Sequence, residues 1–284
     1  MDARTNLDRH LRGTHRLDLT GLAWDEIPRH PLSAGEARCL VYMMDIETHT
    51  VIFLRDLLAT RVAEEPEITA FLACWAYEEL WHGEAFSRFL GEAGVRVDAG
   101  DERPRRDDAY PSRVARNAWI RRATRVRGRL TRAGLAATSK LLTGFPAAHM
   151  AWGAVNELST LTGYQRMIDT TAHPVLADLL ARIIRDERRH YSFYRVEAER
   201  RLAESVSARR VTRLALDRLW SMVGTGVRPQ DETDFVMVHL FGDHDGLDTA
   251  RRLDATVASL PGLDGLRLFE RARGEALARM AAAA

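Results

Sequence analysis

Two short stretches, Glu78-Glu79-Leu80-Trp81-His82 and Asp186-Glu187-Arg188-Arg189-His190, constrain this chain more than anything else in it. Each sets a histidine three positions after the second of two acidic residues. On an α-helix that spacing puts carboxylate and imidazole on one face, a turn apart. Each copy also follows an upstream glutamate, Glu47 and Glu157, by about one long helix and a turn. All six residues fall on apolar helical stripes. Glu47 runs with Cys39, Met43 and Ile46, and Glu79 and His82 run with Trp75 and Phe86. Glu157 runs with Met150 and Tyr164, and Glu187 and His190 with Ile183 and Tyr194.

Four buried carboxylates cost several kcal/mol each unless something neutralises them. Two divalent cations held by Glu47, Glu79, His82, Glu157, Glu187 and His190 meet that need, and this ligand set is a known metal site of helical bundles. Carboxylate and imidazole without thiolate suit iron or manganese better than structural zinc. Glu78 and Asp186 are left over as partners for the outer imidazole N–H groups, which metal-bound histidines give to a carboxylate. The expectation is that Asp186 orients His82 and Glu78 orients His190, each across the bundle.

The chain is long enough, at 284 residues, for one large domain. No strand-period segment of any length appears, so the fold class is all-α. Residues 1–33 read as an N-terminal arm with a short helix near 3–12. Ser33 and Glu36 form a capping box for a helix over 34–62, and Pro66 opens the next, over 66–94. Pro146 and Pro174 open helices over 146–171 and 174–205. Residues 34–205 thus form a four-helix bundle with a long crossover at 95–145, and residues 206–284 supply three or four further helices packed on the same domain. The breaks in that last section fall at 224–229, 242–246 and 261–265.

Net charge is +1, so no global field favours nucleic acid. Without a signal-like apolar run or a membrane span, a cytoplasmic protein is expected. Cys39 and Cys74 read as buried thiols, and His10 and His15 as surface histidines. Asp243-His244-Asp245-Gly246 reads as a turn rather than a calcium loop. Trp24 and Trp81 read as structural, with an electron path as the alternative role. The stretch from Asp108 to Glu157 contains no acidic residue between its ends, while Arg121, Arg122 and Arg125 fall inside it; they are candidate docking residues for an acidic carrier protein.

Trp75-x-x-Glu78-Glu79-x-x-His82-Gly83, Asp186-Glu187-Arg188-Arg189-His190 and Glu157-x-x-Thr160 together resemble the motifs of soluble acyl-carrier-protein desaturases, a ferritin-like family. The resemblance runs from about residue 34 to about residue 225. It implies two iron ions bridged by Glu79 and Glu187, with Glu47 and His82 on one and Glu157 and His190 on the other. It also implies dioxygen as co-substrate, Thr160 beside the dioxygen-binding face, a ferredoxin-type electron donor and a homodimer. The implied reaction introduces a double bond into a carrier-linked acyl chain. Leu80 and Trp81 depart from the plant members, which carry a polar residue and an arginine there, and this leaves the substrate open. Hydroxylation or N-oxygenation of a small molecule is the alternative on the same ligands. Iron handling or peroxide removal without an organic substrate is the third.

Overall fold

A computed structural model describes residues 2–95 and 134–283. The arginines Arg121, Arg122 and Arg125, with most of the expected crossover, lie outside the described residues. No strand occurs among the described residues, and the molecule is all-α. No helix in them is long and apolar enough to cross a membrane.

The helices are α1 (Ala3–Leu11), α2 (Ala34–Leu57), α3 (Pro66–Glu92), α4 (Phe145–Thr170), α5 (Pro174–Glu204), α6 (Val206–Leu219), α7 (Gln230–Phe241), α8 (His244–Ala258) and α9 (Leu268–Ala283). A further helical stretch covers 134–141. Their starts follow local chemistry. Ser33 accepts from the Glu36 N–H while the Glu36 carboxylate takes the Ser33 N–H, which satisfies two orphan donors of α2. Pro66 and Pro174 fill first-turn positions where no N–H is required, and the His173 ring caps α5 by accepting from Leu176 N at 3.2 Å. The α2 helix stops at Leu57, five residues short of the expected end. Thr60 turns back to donate its hydroxyl to the Leu57 carbonyl at 2.7 Å, and the chain continues as a short 3₁₀ helix, Arg61–Glu64.

The long helices α2 to α5 make the bundle, α2 packed along α3 and α4 along α5. Between them lies a core of fully buried side chains that includes Leu40, Met44, Phe71, Phe86, Ile183 and Phe193. The C-terminal helices lie back on it, α6 against α4 and α7 against α2 and α4, with α8 and α9 outside. Asp243 is the N-cap of α8, accepting from Gly246 N at 2.6 Å, so His244, Asp245 and Gly246 open that helix where the sequence led us to expect a turn.

The N-terminal segment packs α1 onto α3 and α5. Asn6 Nδ2 donates to the Phe193 carbonyl at 3.2 Å, and Leu7, Leu17, Leu22 and Ile27 are buried. This corrects the surface reading of His10, which is buried against Phe71 at a centroid distance of 4.8 Å. A lone polar helix gave no apolar face to read; burial comes from what α1 covers. His15 is exposed, as expected. Cys39 is buried, whereas Cys74 is only half-buried, because it sits on the flank of the α3 stripe.

Candidate metal centre

Glu47 is on α2, Glu79 and His82 on α3, Glu157 on α4, and Glu187 and His190 on α5, and all six are buried. They form two groups. Glu47, Glu79, His82 and Glu187 offer ligand atoms within 4.8 Å of one another, and so do Glu79, Glu157, Glu187 and His190. Glu79 and Glu187 belong to both.

Each shared carboxylate splits its oxygens between the two imidazoles. Glu79 turns Oε2 to His82 Nδ1 at 3.2 Å and Oε1 to His190 Nδ1 at 3.2 Å. Glu187 turns Oε1 to His82 Nδ1 at 3.2 Å and Oε2 to His190 Nδ1 at 3.5 Å. Both Glu187 oxygens and His190 Nδ1 are nevertheless without a well-directed hydrogen bond. Buried polar atoms left in that state are expensive. Atoms that converge without bonding to each other are arranged for a third body between them, and the donor set of carboxylates and imidazoles fits a pair of divalent cations.

Close helix approach at Gly83 brings α2 into reach. A Cβ built there would lie 2.6 Å from Thr48 Oγ1 and 3.4 Å from Glu47 Cβ, so only glycine lets the backbone of α3 meet α2 one residue past His82. On the far side of Glu47, the buried Tyr164 hydroxyl donates to Glu47 Oε1.

The outer imidazole nitrogens are paired across the bundle. His82 Nε2 donates to Asp186 Oδ2 at 3.3 Å and His190 Nε2 to Glu78 Oε2 at 2.9 Å. Arg189 joins the two acceptors, with Nη1 to Asp186 Oδ1 at 2.6 Å and Nη2 to Glu78 Oε1. The N-terminal segment closes over this layer, with His15 N–H donating to Glu78 Oε1 at 3.1 Å. His15, Glu78 and Asp186 form a third group close enough to hold a cation, but Arg189 already supplies the positive charge there.

Electrostatics divides the cluster. Burial, then the charge of Glu79, drives the Glu47 carboxyl well above the usual range; burial, then Glu187, does the same to Glu157. Glu79 is held well below it, hydrogen bonds from Glu47 and the histidines overcoming desolvation. Desolvation opposes the imidazolium forms of His82 and His190, yet the surrounding carboxylates raise both pKa values well above normal. Outside, hydrogen bonds from His82 and Arg189 hold Asp186 at about 2 against burial.

Thr160 is half-buried on α4 and lines, with Glu47 and Tyr164, a cavity of about 60 Å³ whose other walls are mostly apolar. Trp81 is half-buried under the Arg16 guanidinium, 3.8 Å from the ring centroid, and Trp24 lies under Arg88 in the same way. Sequence reasoning placed Tyr164 on the stripe of Glu157 but gave neither it, Arg189 nor His10 a part in the site. Arg189 also left a sign in its i,i+3 spacing from Asp186.

Comparison with family models, with curated proteins and with solved structures finds no match. The class rests on geometry: an all-helical protein with buried carboxylate and histidine groups compatible with a di-metal site.

Proposed function

We propose that this chain is a ferritin-like, di-iron, dioxygen-dependent oxidoreductase that introduces a double bond into an acyl chain linked to a carrier protein. The observation that carries the reading is the division of the Glu79 and Glu187 oxygens between His82 and His190, the arrangement of two bridging carboxylates. Glu47 with His82 and Glu157 with His190 would complete the two iron sites.

The bound pair would supply redox chemistry: reduction of dioxygen to two waters consumes four electrons and four protons, of which the two hydrogen atoms of adjacent methylenes bring two of each and the outside donor and solvent the other two. An external one-electron carrier of ferredoxin type provides the outside electrons. The protein's own part is to hold and to exclude. Asp186 and Glu78 fix the imidazoles, Tyr164 fixes Glu47, and the buried walls keep bulk water from the oxidising centre. Thr160 lines the cavity beside Glu47, where its hydroxyl would serve proton delivery. Apart from the ligand Glu47, no Asp, Glu, Lys, Arg or His lines that cavity among the described residues, which favours an aliphatic substrate over an amine. A homodimer, and docking of the carrier at Arg121, Arg122 and Arg125, complete the reading.

The test is anaerobic loading with iron(II), addition of oxygen and a chemical or protein reductant, and mass spectrometry on a panel of acyl-carrier and amine substrates. Loss of two mass units from an acyl carrier supports the reading. Gain of sixteen moves it to oxygenation, and oxygen consumption with no change in any organic substrate moves it to iron handling.

A further inference from the structure

Tyr194 follows His190 by one turn of α5, and Gly153, one turn before Glu157 on α4, packs against its ring. A Cβ at Gly153 would collide with Tyr194 Cε1, so the ring is seated where α4 and α5 meet. It stands a turn from Glu157 and a turn from His190, the two residues found only in the second of the two metal groups. On its other side it meets the Trp75 indole edge-on, at a centroid distance of 5.9 Å. We infer that Tyr194 and Trp75 form a hole-transfer chain, which carries unspent oxidising equivalents from the metal pair to a one-electron reductant at the protein surface. This rests on the functional reading above, because an oxygen-activating centre must produce those equivalents. It adds a second activity, oxidation of a reductant when no organic substrate is bound.

Two buried tyrosines flank the cluster, and their surroundings differ. Tyr164 donates to Glu47, and the ring it faces is Phe86, a side chain that resists oxidation. Tyr194 faces an indole, the other aromatic side chain that gives up an electron readily. Its remaining ring neighbours, Phe71 and His149, offer no competing step. Trp75 is the outer end of the pair, 6 % exposed where Tyr194 is 1 % exposed. Its indole N–H is buried without a hydrogen-bond partner among the described residues. An oxidised indole there keeps its proton, because no base receives it, and so stays able to draw an electron from solution.

The electrons and protons balance. Tyr194 gives one electron to the oxidised metal pair and its phenolic proton to Glu157, the carboxylate whose charge acts most strongly on that phenol. An electron from Trp75 and the same proton then restore the phenol, and a small reductant such as ascorbate refills Trp75. Two passes supply the two electrons that adjacent methylenes would otherwise bring, and solvent supplies the two protons.

The test is freeze-quench electron paramagnetic resonance on the full chain, loaded anaerobically with iron(II) and mixed with oxygen without organic substrate. Ferric absorbance is followed in parallel. Trp75→Phe cuts the chain after its first member, so a radical should accumulate to at least tenfold the wild-type level and narrow when the tyrosines are ring-deuterated. Tyr194→Phe should lack that radical. It should also gather oxygen adducts on the peptides that carry the cluster at least threefold faster per oxygen consumed, read by mass spectrometry. That variant carries the test should Trp75→Phe fail to fold by circular dichroism. Ferric absorbance without a radical in Trp75→Phe, or wild-type adduct levels in Tyr194→Phe, overturns the chain and leaves the functional reading standing. Failure of oxygen to oxidise the iron overturns both. A radical on Tyr194 in a protein that alters no organic substrate keeps the chain and removes the desaturase reading instead.

Discussion

Glu78 Oε2 stands 2.9 Å from His190 Nε2, although Glu78 belongs to α3 and His190 to α5. Asp186 on α5 returns the contact to His82 on α3, so each hairpin holds the other's imidazole. The pairing would also link metal binding to bundle assembly, because the two imidazoles meet these carboxylates only when the hairpins come together. Outer carboxylates of this kind are worth ~10- to 100-fold in metal affinity. Asp186→Ala and Glu78→Ala should each lower iron(II) affinity by about that factor. Competition with a chromophoric chelator measures it, and wild-type affinity in both variants would remove the orienting role.

Much of this arrangement was readable before folding was known, for a physical reason. Within one helix the spacing of Glu79 and His82, or of Glu187 and His190, fixes their common face, and the apolar neighbours Trp75, Phe86, Ile183 and Tyr194 show that face to be buried. Glu78 and Asp186 were readable as the two acids adjoining the set, and each is in contact with the histidine of the other hairpin. What escaped depends on approach between distant segments. His10 is buried by contact with Phe71, Tyr164 meets Glu47 only after α2 and α4 converge, and the 220–229 loop meets Tyr42 only once it is folded back onto α2. None of these leaves a periodic signal.

Proton release should accompany metal binding. In the metal-free cluster, burial and neighbouring charge raise the pKa of Glu47 and Glu157, and the carboxylates raise that of His82 and His190. Cations at both sites must displace the protons that these groups hold, from Nδ1 in the histidines, since Nε2 remains bonded outward. Bound protons compete with metal, so affinity rises as pH rises. Titration of iron(II) or manganese(II) into weakly buffered apoprotein at neutral pH, followed with a pH dye, should show net proton release as the metal binds. Metal binding without proton release would contradict these raised pKa values.

Gly83→Ala tests the α2–α3 contact with a useful sign. In an unconstrained helix interior the change stabilises by roughly 0.5–1 kcal/mol. Here the new methyl meets Thr48 Oγ1 at 2.6 Å and the α2 backbone at 3.2 Å, so the helices must part beside Glu47. Overpacking of this sort costs about 1–3 kcal/mol. The variant should melt below the wild type and bind metal more weakly. A raised melting temperature would show that the approach is not tight.

Tyr164→Phe removes one buried donor from Glu47 without changing the shape of the cavity wall. A hydrogen bond in such a place contributes ~0.5–1.5 kcal/mol, a two- to tenfold effect on whatever depends on the carboxylate. Because Glu47 belongs to the group with His82 and not to the group with His190, the loss should fall unequally on the two metals. A stepwise titration should show one weakened site beside one unchanged; equal weakening of both would mean that Tyr164 acts through the fold as a whole.

His10 makes the last prediction, and it concerns stability rather than metal. Burial against Phe71 and Phe193, then the charge of His190, lowers its pKa from 6.5 to about 4, and neither ring nitrogen has a hydrogen-bond partner among the described residues. With the folded pKa depressed, the unfolded chain binds the proton first as pH falls. The stability that the neutral ring contributes is therefore complete above about 6.5 and is lost between that value and about 4. Between pH 7 and pH 5 the loss amounts to about 2 kcal/mol for this one group. His10→Phe keeps the aromatic packing and removes the titration. Urea unfolding of the apoprotein at the two pH values should show the variant losing less stability than the wild type on acidification by about that amount. Identical pH dependence in the two proteins would place His10 in contact with water and undo its assignment to the core.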